Sequence, residues 1–240
     1  MTTLVVGASG ATGRLLVEQL LGRGEAVRII IRTQSNLPSA IHHHKNLNII
    51  YGSINDLSNE ELIEHVKGCR AIVSCLGHSL NLQGIYGQPR RLVTNTTRRL
   101  CHAIKANNPA QAVKFVLMNT AGNSNRDIPE TTSFRHQCII FLLRALLPPH
   151  VDNEKAADFF RTVIGQDDRQ IEWVVVRPDG LIDETKVSHY DEHPSPIRDA
   201  IFDAGRTSRV NVAHFMSELI FSSAKWAQWK GKMPVIYNKE

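Results

Sequence analysis

The chain has 240 residues, 42% of them hydrophobic, which suits one α/β domain able to bury a large core without disulfides or metal. Lys and Arg number 28 against 23 Asp and Glu, a net charge of +5 that needs no nucleic acid to explain it and favours anionic small ligands. Cys69, Cys75, Cys101 and Cys138 form no C-x-x-C pair, which argues against a disulfide framework and predicts small buried thiols in a reducing compartment.

The first predicted strand begins at Thr3, with no basic segment and apolar run before it, so no secretory leader and a cytoplasmic location are expected. That strand runs into Gly7-Ala8-Ser9-Gly10-Ala11-Thr12-Gly13, and Ala11, Leu15, Leu16, Leu20 and Leu21 follow at helical spacing. Three glycines at a strand-to-helix turn permit positive φ and close backbone approach. The free N–H groups that open the helix then face an anion with the helix dipole behind them, which implies a pyrophosphate ligand.

Gly22-Arg23-Gly24 stops the helix, and Ala26–Ile31 is the second strand. Asn48–Tyr51 is the third. Ser58 and Glu61 form a capping box for a helix over 58–67, and residues 70–75 are strand four. A loop from Gly77 to Pro89 leads into a helix from about Arg90 to Ala106, and strand five is Lys114 to Met118. An insertion over 119–150 begins polar and becomes an apolar helix near 134–147. Residues 152–164 are helical, and Ile171–Val176 is a buried strand. The tail, 210–237, reads as strand or turn, helix, then Pro234–Tyr237. Such alternation predicts a doubly wound parallel sheet covered on both faces, in one domain over 1–240.

Several features draw plain readings. Cys138 to Leu147 contains Arg144 and ends at Pro148, well short of the roughly 20 apolar residues of a membrane span, so no membrane association is expected. In a cytoplasmic chain the sequon Asn95-Thr96-Thr97 carries no information about glycosylation. His42-His43-His44 lacks the carboxylate or cysteine pattern of a metal site, and no metal is expected. Arg90-Arg91 and Arg98-Arg99 are expected on a solvated face, and without interleaved aromatics they give no sign of nucleic-acid binding.

The G-x-x-G-x-x-G spacing of Gly7, Gly10 and Gly13 resembles that of the extended and atypical branches of the short-chain dehydrogenase/reductase superfamily. Ile171–Pro178, with its terminal Arg177-Pro178, and Ser208–Met216 resemble segments of the NmrA-like NAD(P)H-binding family, which includes flavin and biliverdin reductases. The resemblance implies a Rossmann-type fold and a dinucleotide bound by Gly7, Ser9, Gly10, Ala11, Thr12 and Gly13. It also implies contacts from Ser53 and Ile54 on the adenine side, from Cys75, Leu76 and Gly77 beside the ribose and pyrophosphate, and from Pro178 and Gly180 near the nicotinamide. At the end of strand two, Arg32 and Thr33 replace the acidic residue of an NAD site, and a guanidinium suits the 2′-phosphate of NADP(H).

Thr120 and Lys155 match the superfamily's hydroxyl and ribose-binding lysine, but Val151 occupies the place of its tyrosine. His150 is the neighbouring group able to carry a proton near neutrality. The expected function is an NADPH-dependent reductase of a flavin, quinone or similar planar acceptor, with a non-catalytic redox sensor of the NmrA type as the alternative. The expected partner is a small-molecule substrate, with monomer and homodimer both open.

Overall fold

A computed structural model of the protein describes residues 1–33, 37–78, 81–130 and 134–239; parts of the loop at 79–80 and of the insertion at 131–133 lie outside the described residues. The elements are β1 (Thr2–Val6), α1 (Ala11–Gly22), β2 (Ala26–Ile31), the short α2 (Ser39–His42), β3 (Leu47–Tyr51), α3 (Asn59–Val66), β4 (Cys69–Ser74), α4 (Leu82–Tyr86) and α5 (Leu92–Ala106). Then come β5 (Val113–Met118), α6 (Phe134–Leu146), α7 (Pro148–Phe159) with a π-helical turn through Ile164, β6 (Ile171–Pro178), β7 (Gly180–Ile182), β8 (Tyr190–His193) and β9 (Arg206–Ser208). The chain closes with α8 (Arg209–Phe221), α9 (Ser223–Trp229) and β10 (Val235–Asn238).

Eight strands form one sheet in the order β3-β2-β1-β4-β5-β6-β10-β8, parallel except for β8. The chain winds outward from β1 to β3 and then returns to β4 on the other side of β1. Strand order therefore reverses between β1 and β4, and an open sheet of this kind offers a crevice at the carboxyl ends of those strands.

Period-2 alternation splits the strands between two cores. Val5, Ala71, Val73, Val116 and Val174 face α1, α8 and α9 with Leu16, Leu20, Phe215, Met216 and Trp229. Leu4, Val6, Ile72, Phe115, Leu117, Trp173 and Val175 face α3, α5 and α7 with Leu62, Leu100, Ile104 and Phe160. The Phe160 ring sits 4.8 Å from Phe115 and 5.7 Å from Trp173, so the π-helical end of α7 is anchored in the second core. Burial on both faces is why these strands read as nearly continuous apolar runs.

The expected capping box of α3 is present, with both of its reciprocal hydrogen bonds between Ser58 and Glu61. Three expectations need correction. The region 180–208 adds β7 and β9, which pair with each other, and the antiparallel edge strand β8; these are three or four residues long, too short to show a period. Arg99 is not on a solvated face: its guanidinium donates to the carbonyls of Ile54 (2.8 Å) and Leu57, tying α5 to the turn between β3 and α3. Cys138 is exposed, unlike buried Cys69 and Cys101, because it lies on the outer side of α6. No described helix is long and apolar enough to cross a membrane, and among the described residues no three His, Cys, Asp or Glu side chains gather as metal ligands.

Candidate functional site

The crevice predicted by strand order is built first by the glycine turn. Gly7 has φ +75°, and a Cβ there would lie 2.6 Å from the Cys75 carbonyl carbon, because the ends of β1 and β4 press together. A Cβ on Gly13 would fall 2.1 Å from the Gly7 carbonyl oxygen, so the third glycine lets α1 start directly against the turn. Gly10 caps α1 with no side-chain hydrogen bond, and the Arg14 N–H is the first to bond back, to Gly10 O at 3.0 Å. The N–H groups of Ala11, Thr12 and Gly13 are left without intrahelical acceptors, at the positive end of a helix dipole.

A cavity of about 470 Å³ opens in front of Ala11 and Thr12. Gly7, Ser9, Gly10, Ala11 and Thr12 form its floor, and Arg32, Ser53, Ile54 and Asn55 close the β2–β3 side. Cys75, Leu76, Gly77, His78, Pro89, Leu92 and Met118 form the β4–β5 side. Arg99, by holding the Ile54 and Leu57 carbonyls, fixes the turn that presents Ser53 and Ile54. No carboxylate is among the lining residues, and Arg32 is exposed with no ion pair to a described residue. Burial pushes the Cys75 thiol up to about 12, so it stays neutral. The cavity therefore suits an elongated anion, with a cation at one end, N–H donors in the middle and apolar walls around them.

The other expected site residues do not line this cavity. Gly13 is buried behind Gly7, and Thr33 is exposed beside Arg32. Thr120 is half-buried, its hydroxyl accepting from Gly122 N at 3.3 Å. Lys155 is exposed on α7. His150 points its Nε2 at Glu154, 3.5 Å away, and Arg144 from α6 donates twice to the same carboxylate. Pro178 and Gly180 flank the end of β6, where the Pro178 carbonyl accepts from Ala121 N at 2.9 Å. Gly180 packs on β9, where a Cβ would lie 2.7 Å from the Gly205 carbonyl oxygen.

The family model described as NAD(P)H-binding matches residues 7–223, from the first glycine of the turn to the start of α9. The chain belongs to the NAD(P)H-binding family. No curated protein matches it by sequence. Among solved structures it is similar to a short-chain dehydrogenase/reductase from Veillonella parvula in complex with NADP, at 14% identity and a TM-score of 0.71 over 99% of this chain and 94% of that one. It is likewise similar to an anaerobillin reductase from Escherichia coli, at 15% identity and a TM-score of 0.69 over 100% of this chain and 98% of that one. A protein from Streptococcus pneumoniae, provisionally described as an NADH-flavin reductase, aligns at 16% identity and a TM-score of 0.65 over 100% of both chains. At such identities the likeness concerns the fold.

Within this NAD(P)H-binding chain the sequence reading missed the polar residues that hold the cavity wall. His78 lines the cavity, and its imidazole lies between two acceptors, with the Gly84 carbonyl 3.1 Å from Nδ1 and Asp152 Oδ2 2.8 Å from Nε2. Asp152 has a legible signal: it stands four residues before Ala156 and eight before Phe160, on the buried stripe of α7, where a carboxylate requires partners. Arg177, fully buried, donates to the Asn123 carbonyl (2.8 Å), the Met233 carbonyl (2.7 Å) and Glu130 (2.7 Å), which ties the polar start of the insertion to the ends of β6 and β10. Asn119 Nδ2 donates to the Asn153 carbonyl (2.9 Å) and so joins the end of β5 to α7.

Proposed function

We propose that the protein is an NADPH-dependent reductase whose acceptor is a flavin, a quinone or a comparable planar molecule. The observation that carries this reading is the chemistry of the cavity wall. Its β2–β3 end offers the guanidinium of Arg32, which makes no ion pair to a described residue and is suited to a 2′-phosphate, where an NAD site would carry a carboxylate. Its floor offers the N–H groups of Ala11 and Thr12, at the start of α1, to the pyrophosphate.

Among the described residues lining the cavity's β4–β5 end there is no carboxylate, tyrosine or lysine. Val151 stands in the place of the superfamily's tyrosine, both ring nitrogens of His78 are engaged, and Cys75 is neutral. When bound, NADPH supplies a hydride. The chain's contribution is orientation: the glycine turn holds the pyrophosphate and Arg32 the 2′-phosphate, and Leu76, Leu92 and Met118 supply apolar wall on the other side. An acceptor that takes a hydride with its ring stacked, and its proton afterwards from solvent, needs no positioned acid. The neighbours described as an anaerobillin reductase and an NADH-flavin reductase support a reductase.

The test is steady-state NADPH oxidation against a panel of free flavins, quinones and redox dyes. Turnover with at least one of them is expected. The same shortage of a free acid favours one alternative, a redox sensor that binds NADP(H) without turnover. It would show no oxidation with any acceptor and unequal affinities for NADPH and NADP⁺.

A further inference from the structure

Residues 78–92 run from just beyond β4 to the first residue of α5, and both ends of this segment, at His78 and at Pro89 and Leu92, face the cavity. One buried carboxylate holds the two ends. Asp152 Oδ2 accepts from His78 Nε2 and from Val93 N, each at 2.8 Å, and Oδ1 accepts from Thr94 N at 3.0 Å. The Thr94 hydroxyl donates back to the Asp152 carbonyl at 2.9 Å. α5 has no side-chain cap of its own, so Asp152 supplies one from α7 and sets a negative charge at the positive end of the helix.

His78 joins the start of the segment to the same carboxylate and, through Gly84, to α4. The side chains of His78 and Asp152 are 7% and 0% exposed, a setting in which a missing partner is costly because water cannot replace it. Strand order puts His78, Leu92 and Met118 on the β4–β5 side of the cavity, away from Arg32 on β2.

We propose that His78 and Asp152 are positioning residues for the nicotinamide half of the dinucleotide. They fix the wall formed by His78, Pro89 and Leu92, against which that half lies, while the adenosine half is held separately by Arg32, Ser53 and Ile54. The inference rests on the reading that the cavity takes NADPH.

The experiment is titration of NADPH, NADH and 2′,5′-ADP into the wild type, His78→Ala and His78→Gln. 2′,5′-ADP carries the adenosine and its 2′-phosphate but no nicotinamide. His78→Ala should weaken NADPH and NADH by about tenfold each, the order expected for one hydrogen bond to a charged group, and leave 2′,5′-ADP unchanged. His78→Gln, whose amide can still donate to Asp152, should recover most of the loss. If His78→Ala does not fold, His78→Leu gives the same comparison. Unchanged NADPH affinity without the imidazole would overturn the proposal, as would a parallel fall in 2′,5′-ADP affinity, which would mean general loosening. A wild type that binds none of the three would remove the cofactor reading itself, and this inference with it.

Discussion

At the residue scale, the site depends on atoms that are not there. A methyl group on Gly13 would overlap the Gly7 carbonyl oxygen at 2.1 Å, and since the backbone fixes the position of both atoms, no rotamer relieves it. Gly13→Ala should cost about 1–3 kcal/mol of stability, as overpacking does, and abolish measurable dinucleotide binding, because α1 must retreat from the turn it caps. Denaturant unfolding together with a binding titration checks both parts, and an alanine variant that binds like the wild type would refute the close approach. Gly7, Gly10, Arg32, Ser53, Ile54 and Cys75 to Gly77 were legible in the sequence because each sits at a strand end or in a turn whose position the strands themselves define. His78 was not legible, because its partner Asp152 lies 74 residues away and only the folded chain brings them together.

At the scale of elements, most of the sheet could be read because its strands are apolar on both faces and its helices keep a clear period. What escaped lies between β6 and α8, where β7, β8 and β9 are only three or four residues long, and β8 and β9 are mostly polar. Arg177 is the joint of this part of the fold. Its side chain is fully buried, and the Glu130 carboxylate it pairs with at 2.7 Å is only 5% exposed. Arg177→Met should therefore destabilise by about 3–5 kcal/mol, since it strands a buried charge, and adding Glu130→Gln should restore part of the loss. Denaturant midpoints of the single and double variants test this. A single variant within about 1 kcal/mol of the wild type would show that the pair does not hold the insertion in place.

For the molecule as a whole, the two cores fix the sheet while charge fixes its carboxyl rim, and acid should loosen the rim first. Burial alone would raise the Glu154 carboxyl, but the nearby His150 imidazole and the hydrogen-bonded Arg144 guanidinium outweigh it and hold the group down to about 2 from 4.5. A carboxyl lowered on folding adds stability that is present above its unfolded value and is lost as the pH falls from about 4.5 toward 2. Glu154→Gln should flatten the pH dependence of unfolding in that window, and an acid limb identical to the wild type would contradict the sign. The cavity lies at the reversal of strand order, has Arg32 at one end and has no carboxylate in its wall, and the central claim is that it holds NADPH. The most direct measurement is the ratio of NADPH to NADH affinity in the wild type and in Arg32→Ala. The account predicts a ratio of about tenfold or more in favour of NADPH that collapses toward unity in the variant while NADH affinity holds; equal affinities in the wild type, or a preference that survives loss of the guanidinium in a folded protein, would contradict it.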